Sequence, residues 1–386
     1  CNVVDDIHLS TAIVPAIVDR SPMLIAISTG GRSPVLATQF RQRIEAMLPA
    51  NYGQLADWTG KWRIAVQQRF EQGQQRLRFW QATLTGPLPD QVLKGETRLA
   101  DQGMQDSLSE QHDVTGIAWL TGAGPGDPEL LTLKALQCIQ KADVILHDRL
   151  IAPQILDHAR KDADIIAVGK QAGEPGITQA EINALLVSMV QAGKRVCRLK
   201  GGDPFIFGRG GEELAALNSA GLPCEVIPGI TAAAGCAAIA GIPLTHRNVA
   251  RSVTFMTGHS AEGQEPDWQQ LAHRDQTIVL YMALSRLNES CTKLIAAGRD
   301  SSCPAVLIEN GTTSRQRIFR GTLANLPGLT EDQSVQSPAL LIAGDVGAWA
   351  TSTATDNTAE DAANKPIKDT GSAWAPPASR DSNLLM

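Results

Sequence analysis

Between residues 117 and 203, short apolar runs repeatedly end in a glycine or a charge and then give way to a helical stretch. "IAWLTGAG" leads into a helix expected over 128–140, and "ADVILHD", "DIIAVGK" and "KRVCRLKGGD" end a second, third and fourth run. Apolar runs this short, bounded by turn formers, suit buried strands better than helices. Strands that alternate with helices pair mostly in parallel, with helices on the sheet faces. The same character continues to about residue 347. Ligands of such sheets gather at the carboxyl ends of the strands, so the last residues of each run deserve the closest reading.

The first exit is "GAGPGDPELLTLKAL" at 122–136. Asp127 is placed to cap a helix, Pro128 to open it, and Leu130, Leu131, Leu133 and Leu136 to form its inward face. A dinucleotide site with Asp148 as the ribose acid is one reading. Against it, the glycines run G-x-G-x-G, and Pro125 removes a backbone donor where a pyrophosphate needs one. A phosphate loop is excluded, because no Gly-Lys-Ser/Thr follows. A tight turn without ligand is the other reading, and both stand on this stretch alone.

The second and third exits deliver Asp148 and Lys170 to the edge of the sheet. A carboxylate and an ammonium there suit a general base and a general acid; solvated charges are the plain alternative. The fourth exit, "LKGGDPFIFGRGGEE" at 199–213, offers bare backbone at Gly201 and Gly202 and an acceptor at Asp203. No lysine, serine or threonine set for phosphates follows the glycines. A nucleoside-like ligand without phosphates fits, and S-adenosylmethionine is such a ligand. Further on, "PGITAAAGCAAIAGIPLTHR" starts a small-residue helix at Thr231 and Ala232, while "YMAL" at 281–284 and "ENGT" at 309–312 follow apolar runs.

Ahead of this region, "MLIAIS" at 23–28 reads as a strand, followed by the turn "TGGRSP" and a helix from Pro34. Residues 53–82 are helical and carry Trp58, Trp62 and Trp80, placed as core or subunit contacts. Residues 84–114 lose periodicity and read as a linker. "CNVVDD" at the start reads as the end of a buried strand, which implies a segment upstream of residue 1. Residues 348–386 have the composition of a disordered tail.

Net charge is -6, so no global basic field draws nucleic acid or an anionic membrane surface. The seven cysteines form no C-x-x-C pair, which points to reduced thiols in the cytoplasm and not to disulfides or a zinc site. No apolar run approaches the roughly 18 residues of a membrane span.

"GAGPGDPELLTLKAL", "DRL", "VGK", "RLKGGDPFIFGRGGEE", "PGITAAAG", "GIPLTHR" and "ENGT", in this order, resemble the uroporphyrinogen-III C-methyltransferase family of tetrapyrrole methylases. The segment from "CNVVDD" through "DRSPMLIAISTGGRSPVLA" resembles the domain fused ahead of that methylase in siroheme synthases. The resemblance implies an α/β tetrapyrrole methylase fold of two subdomains at 114–347. Before it, at 1–113, it implies the α-rich dimerisation part of a truncated NAD-binding dehydrogenase and ferrochelatase domain, plus linker. It implies double methylation of uroporphyrinogen III through precorrin-1 to precorrin-2. A cobalamin-branch precorrin methyltransferase is the alternative. The implied S-adenosylmethionine site is Pro125, Gly201, Gly202, Asp203, Ile206, Thr231, Ala232, Met282 and Gly311, with Asp148 as proton acceptor and Lys170 as proton donor. Asp5 falls on the acid used for dehydrogenase and chelatase chemistry, with NAD as cofactor of the full-length family protein and Fe2+ as chelatase substrate. The NAD-binding glycine loop is expected upstream of residue 1, so this chain is expected to oxidise precorrin-2 poorly. Thr29 stands in "STGG" where the commoner pattern has a second serine. The implied assembly is a homodimer. The substrate carries eight carboxylates, and Arg149, Arg209, Arg247 and Arg251 are the candidates to meet them.

Overall fold

The computed structural model describes residues 1, 3, 8–109, 116–169, 177–258, 266–331 and 333–350. Asp5, Lys170, most of "CNVVDD" and nearly all of the tail lie outside the described residues. The chain divides into two compact units, Cys1–Val114 and Thr115–Met386.

In the first unit, β1 (Ala16–Arg20) and β2 (Met23–Ile27) form an antiparallel hairpin. Helix α1 (Pro34–Met47) begins where the sequence places it: Ser33 accepts a hydrogen bond from the Leu36 amide, and Pro34 opens the first turn. Helices α2 (Tyr52–Arg69), α3 (Gly73–Thr85), α4 (Leu88–Leu93) and α5 (Thr97–Ser109) follow. The expected linker at 84–114 is therefore largely helical. Leu88, Val92, Ala100 and Met104 are buried with Leu55, Trp58, Val66 and Phe79 in one core. The carboxylate of Asp101 on α5 accepts hydrogen bonds from the Trp58 and Trp62 indoles, both at 3.0 Å, and from Lys61 at 2.7 Å. These bonds, that from Lys61 foremost, hold the Asp101 carboxyl below the usual range. Two of the three tryptophans thus anchor helices to each other.

The second unit contains two five-stranded sheets. Strands β3 (Ile117–Gly122), β4 (Val144–His147), β5 (Asp164–Ala167), β6 (Arg195–Lys200) and β7 (Cys224–Ile227) form the first, in order β5-β4-β6-β3-β7. All its pairings are parallel, as the alternation predicts. One face packs on α6 (Leu133–Lys141) and α7 (Pro153–Leu156) through Trp119, Ile145, Cys197 and Leu199. The other face packs on α8 (Gln179–Gln191) and α9 (Gly210–Ser219) through Ala118, Leu120, Leu146 and Val196. The helix expected over 128–140 is instead a short 3-10 turn, Pro128–Leu130, capped by Asp127, and then α6 capped by Thr132. Leu133 is 80% exposed rather than inward, because α6 buries Ala135, Cys138 and Ile139.

Helix α10 (Ala232–Ile239) follows the first sheet. The second sheet has β8 (Ser252–Thr257), β9 (Gln276–Tyr281), β10 (Pro304–Glu309), β11 (Arg317–Thr322) and β12 (Ala339–Ala343). Its order is β11-β10-β12-β9-β8, and only β8–β9 is parallel. The expected parallel character thus holds for the first half alone. Helices α11 (Leu287–Ala296) and α12 (Leu326–Glu331) pack on one face, and α10 lies on the other.

Candidate active site

Three strand exits of the first sheet meet backbone to backbone. The loops after β3 and β6 exchange two hydrogen bonds, Gly124 N–H to Gly202 O at 3.1 Å and Gly202 N–H to Gly124 O at 2.7 Å. A Cβ on Gly122 would lie 2.6 Å from both the Gly202 carbonyl oxygen and the Gly229 Cα. Only glycine fits there. Gly202 also adopts φ +67°, the left-handed region. The Asp203 carboxylate ties the same junction together, accepting from the Phe205 amide at 2.9 Å and from the Gly229 amide at 3.1 Å. Gly201, by contrast, is open: a Cβ there would meet only Leu150, at 3.9 Å.

Asp148 sits just past β4, its amide bonded to the Leu199 carbonyl at 3.1 Å, which extends the β4–β6 ladder by one residue. Its side chain is 32% exposed, and Oδ1 accepts from Arg198 Nη2 at 2.5 Å. The next turn packs on the strand leading toward Lys170: a Cβ on Gly169 would lie 2.6 Å from the Arg149 amide nitrogen. Lys170 itself lies outside the described residues.

The second sheet reaches this cleft through Tyr281. Its hydroxyl hydrogen-bonds the Thr231 hydroxyl at 2.5 Å and accepts from the Ala233 amide at 3.1 Å. Its ring lies 4.9 Å from that of Phe207. Burial raises the Tyr281 phenol above its ordinary value. Pro125 packs against Gly235 of α10, where a Cβ would lie 2.5 Å from the proline Cγ, and Gly311 lies against Cys236. Thr312 Oγ1 accepts from the Asp127 amide at 3.1 Å, a further link between the halves. Phe207, Arg209, Met282, Asn310 and Thr312 all have positive φ although none is glycine. Backbone held in that region clusters at functional sites, and these five fall within the sequence motifs.

The structure thus brings Pro125, Gly201, Gly202, Asp203, Thr231, Ala232, Met282 and Gly311 onto the loops between the two sheets, with Ile206 in the turn after Asp203. Of the four arginines, Arg247 and Arg251 line one recess of about 420 Å³ with Thr245, His246 and Asn248. Arg209 pairs with Glu212 at 2.7 Å, and Arg149 lies exposed beside Gly169. Sequence reasoning missed Tyr281, whose signal was an aromatic hydroxyl ending an apolar strand. It also missed the charges behind Asp148. Arg198 Nε and Lys200 Nζ each bond Glu213 Oε1 at 2.9 Å, and all three residues are at most 2% exposed. Burial, then the neighbouring Arg198, pushes the Lys200 ammonium below its ordinary value.

Among the described residues no helix is long and apolar enough to cross a membrane. Three family models match the chain in order: Sirohaem biosynthesis protein central at 20–47, Sirohaem synthase dimerisation region at 51–108, and Tetrapyrrole (Corrin/Porphyrin) Methylases at 119–327. The siroheme synthase of Stutzerimonas stutzeri is 51% identical over 347 residues, 89% of this chain and 75% of that protein. That of Acinetobacter baylyi is 49% identical over 346 residues, 89% of this chain and 76% of that protein. Among solved structures, the uroporphyrin III C-methyltransferase of Thermus thermophilus is 39% identical with a TM-score of 0.52, covering 60% of this chain and 98% of that one. The same enzyme complexed with S-adenosyl homocysteine is 38% identical, also at 0.52, covering 60% of this chain and 93% of that one. A cobalt precorrin-4 methyltransferase is 26% identical at 0.55, covering 62% of this chain and 98% of that one. With half of its residues identical to siroheme synthases over nearly nine tenths of its length, and with all three models in their order, the chain belongs to the siroheme synthase family.

Proposed function

We propose that the chain methylates uroporphyrinogen III twice, through precorrin-1, to precorrin-2, using S-adenosylmethionine. The observation that carries this reading is Asp148, a half-buried carboxylate at the carboxyl edge of β4, two residues before Leu150, the neighbour of the otherwise open Gly201. A cationic nucleoside without phosphates fits that opening. Among the described residues only Leu150 stands near the open side of Gly201, and the neighbouring Arg198 and Lys200 are paired with Glu213. When bound, S-adenosylmethionine supplies a sulfonium methyl group to an electron-rich pyrrole carbon.

The residues divide the remaining work. Pro125, Gly201, Gly202, Asp203, Ile206, Thr231, Ala232, Met282 and Gly311 hold the methyl donor, mostly through backbone. Alignment of this kind accounts for up to roughly 7–11 kcal/mol of barrier in well-oriented cases. Asp148 takes the proton that the macrocycle loses after methylation, and Lys170 donates one. Arg247 and Arg251 meet acetate or propionate arms in their shared recess. The cobalamin-branch alternative is disfavoured by the siroheme synthase relatives, which match across both units.

Dehydrogenation of precorrin-2 with NAD and insertion of Fe2+ are activities of the full-length family protein, in the domain whose C-terminal part lies at 1–113, with Asp5 as their acid. Family membership supports these activities, and the dimerisation region at 51–108 supports a homodimer. An anaerobic assay with uroporphyrinogen III and methyl-labelled S-adenosylmethionine, with and without NAD, tests the methyltransferase and dehydrogenase readings. Two labels per macrocycle are expected, and no label transfer would overturn the methyltransferase reading. Conversion on to sirohydrochlorin with NAD would establish the dehydrogenase in this chain; precorrin-2 accumulating unchanged would remove it.

A further inference from the structure

Strand β6 carries two cations on the face that packs against α8 and α9: Val196, Arg198 and Lys200 alternate there, while Cys197 and Leu199 face α6. Glu213, fully buried on α9, gathers both cations on one oxygen, with Gln179 donating to the same oxygen at 3.2 Å. Its other oxygen, Oε2, has no partner among the described residues. Arg198 is further fixed by donating from Nη1 to the carbonyls of Leu146 at 3.4 Å and Leu199 at 3.3 Å. Its guanidinium therefore has one place to point its remaining group, and Nη2 meets Asp148 Oδ1 at 2.5 Å. Two cations and two carboxylates balance in this cluster, and only Asp148 opens to the cleft.

We propose that Arg198 is a positioning residue for methyl transfer: held by Glu213, it binds one oxygen of Asp148 and leaves the other, Oδ2, to meet the substrate. This rests on Asp148 being the proton acceptor. A planar, forked guanidinium can hold two carboxylates in a set geometry, which a lysine cannot. A flexible carboxylate in its place would present either oxygen in any rotamer, and small misplacements of a reacting group cost large factors in rate.

The experiment measures labelled methyl transfer and thermal stability for Asp148→Asn, Arg198→Gln and their double variant in the full chain. Arg198→Gln is expected to lower kcat by roughly a hundredfold while both KM values stay within about threefold, and the double variant is expected to match Asp148→Asn. An Arg198→Gln kcat within about twofold of the parent, or a loss that adds in full to that of Asp148→Asn, overturns the proposal. Unchanged kcat in Asp148→Asn sinks the acceptor reading itself; a loss in Arg198→Gln alongside it then shows that Arg198 acts by another route, and the proposal falls too. If Arg198→Gln does not fold, Arg198→Lys keeps the buried charge and carries the test. A kcat loss of about tenfold with unchanged KM supports the proposal, and none overturns it.

Discussion

Arg247 and Arg251 are exposed in one recess and form no ion pair among the described residues, so both charges are available to an anion. A charge-assisted hydrogen bond contributes about 1.5–3 kcal/mol. Arg247→Ala is therefore expected to raise KM for the tetrapyrrole about tenfold or more, to leave kcat nearly unchanged, and to flatten the dependence of KM on salt. Steady-state kinetics at two ionic strengths check this, and an unchanged KM would remove Arg247 from the substrate site. Single residues were legible where chemistry reaches the surface, as with Asp148 at the end of an apolar run. They were illegible where charge is buried. "RVCRLK" has the alternation of a strand with one wet face, and nothing in it shows that the polar face lies under α9 against Glu213. Asp203 was legible as an acceptor, but its carboxylate receives backbone amides of its own protein, which the motif alone does not reveal.

The elements that matter most are the exits of β3, β6 and β7, joined at Gly122, Gly202 and Gly229. Gly229→Ala would drive a methyl group into the Gly202 carbonyl and the Gly122 backbone. Overpacking of this kind costs roughly 1–3 kcal/mol. The expected outcome is a melting temperature lower by several degrees together with weaker binding of S-adenosylmethionine, measured by calorimetry. Unchanged values of both would mean that the loops part easily. The parallel half of the second unit was readable because each of its strands ends in a turn motif and a helix. The other half was not, because antiparallel β10 and β12 carry the same apolar runs as buried parallel strands. The misread linker has a similar cause. In α5 the inward residues Ala100 and Met104 are spaced four apart, but the polar majority around them hides the stripe.

Across the whole molecule, the thiols set a limit at high pH. Burial pushes the Cys197 and Cys236 thiols up to about 12. Unfolded, they ionise nearer pH 9, the ordinary value. Above that pH the unfolded chain releases protons that the folded chain keeps, so stability is full below pH 9 and falls as pH rises toward 12. Each such thiol costs about 1.4 kcal/mol per pH unit over that window. Melting temperatures taken from pH 8 to 11 should fall steadily above 9, and alkylation at pH 8 should spare both thiols in the folded protein while modifying exposed Cys1. A flat melting profile would show that the thiols ionise in place. The junction of Gly122, Gly202 and Gly229 has a different kind of consequence, for how such a protein can change over generations. A floor built from main chain offers a mutating gene no side chains to alter, so heritable variation in ligand choice has to enter through the neighbouring turns at 207–209 and 245–251. A randomised library confined to 207–209 and 245–251 would sample new substrates while leaving the proposed methyl-donor floor intact, whereas one that included the glycines would return mostly destabilised chains.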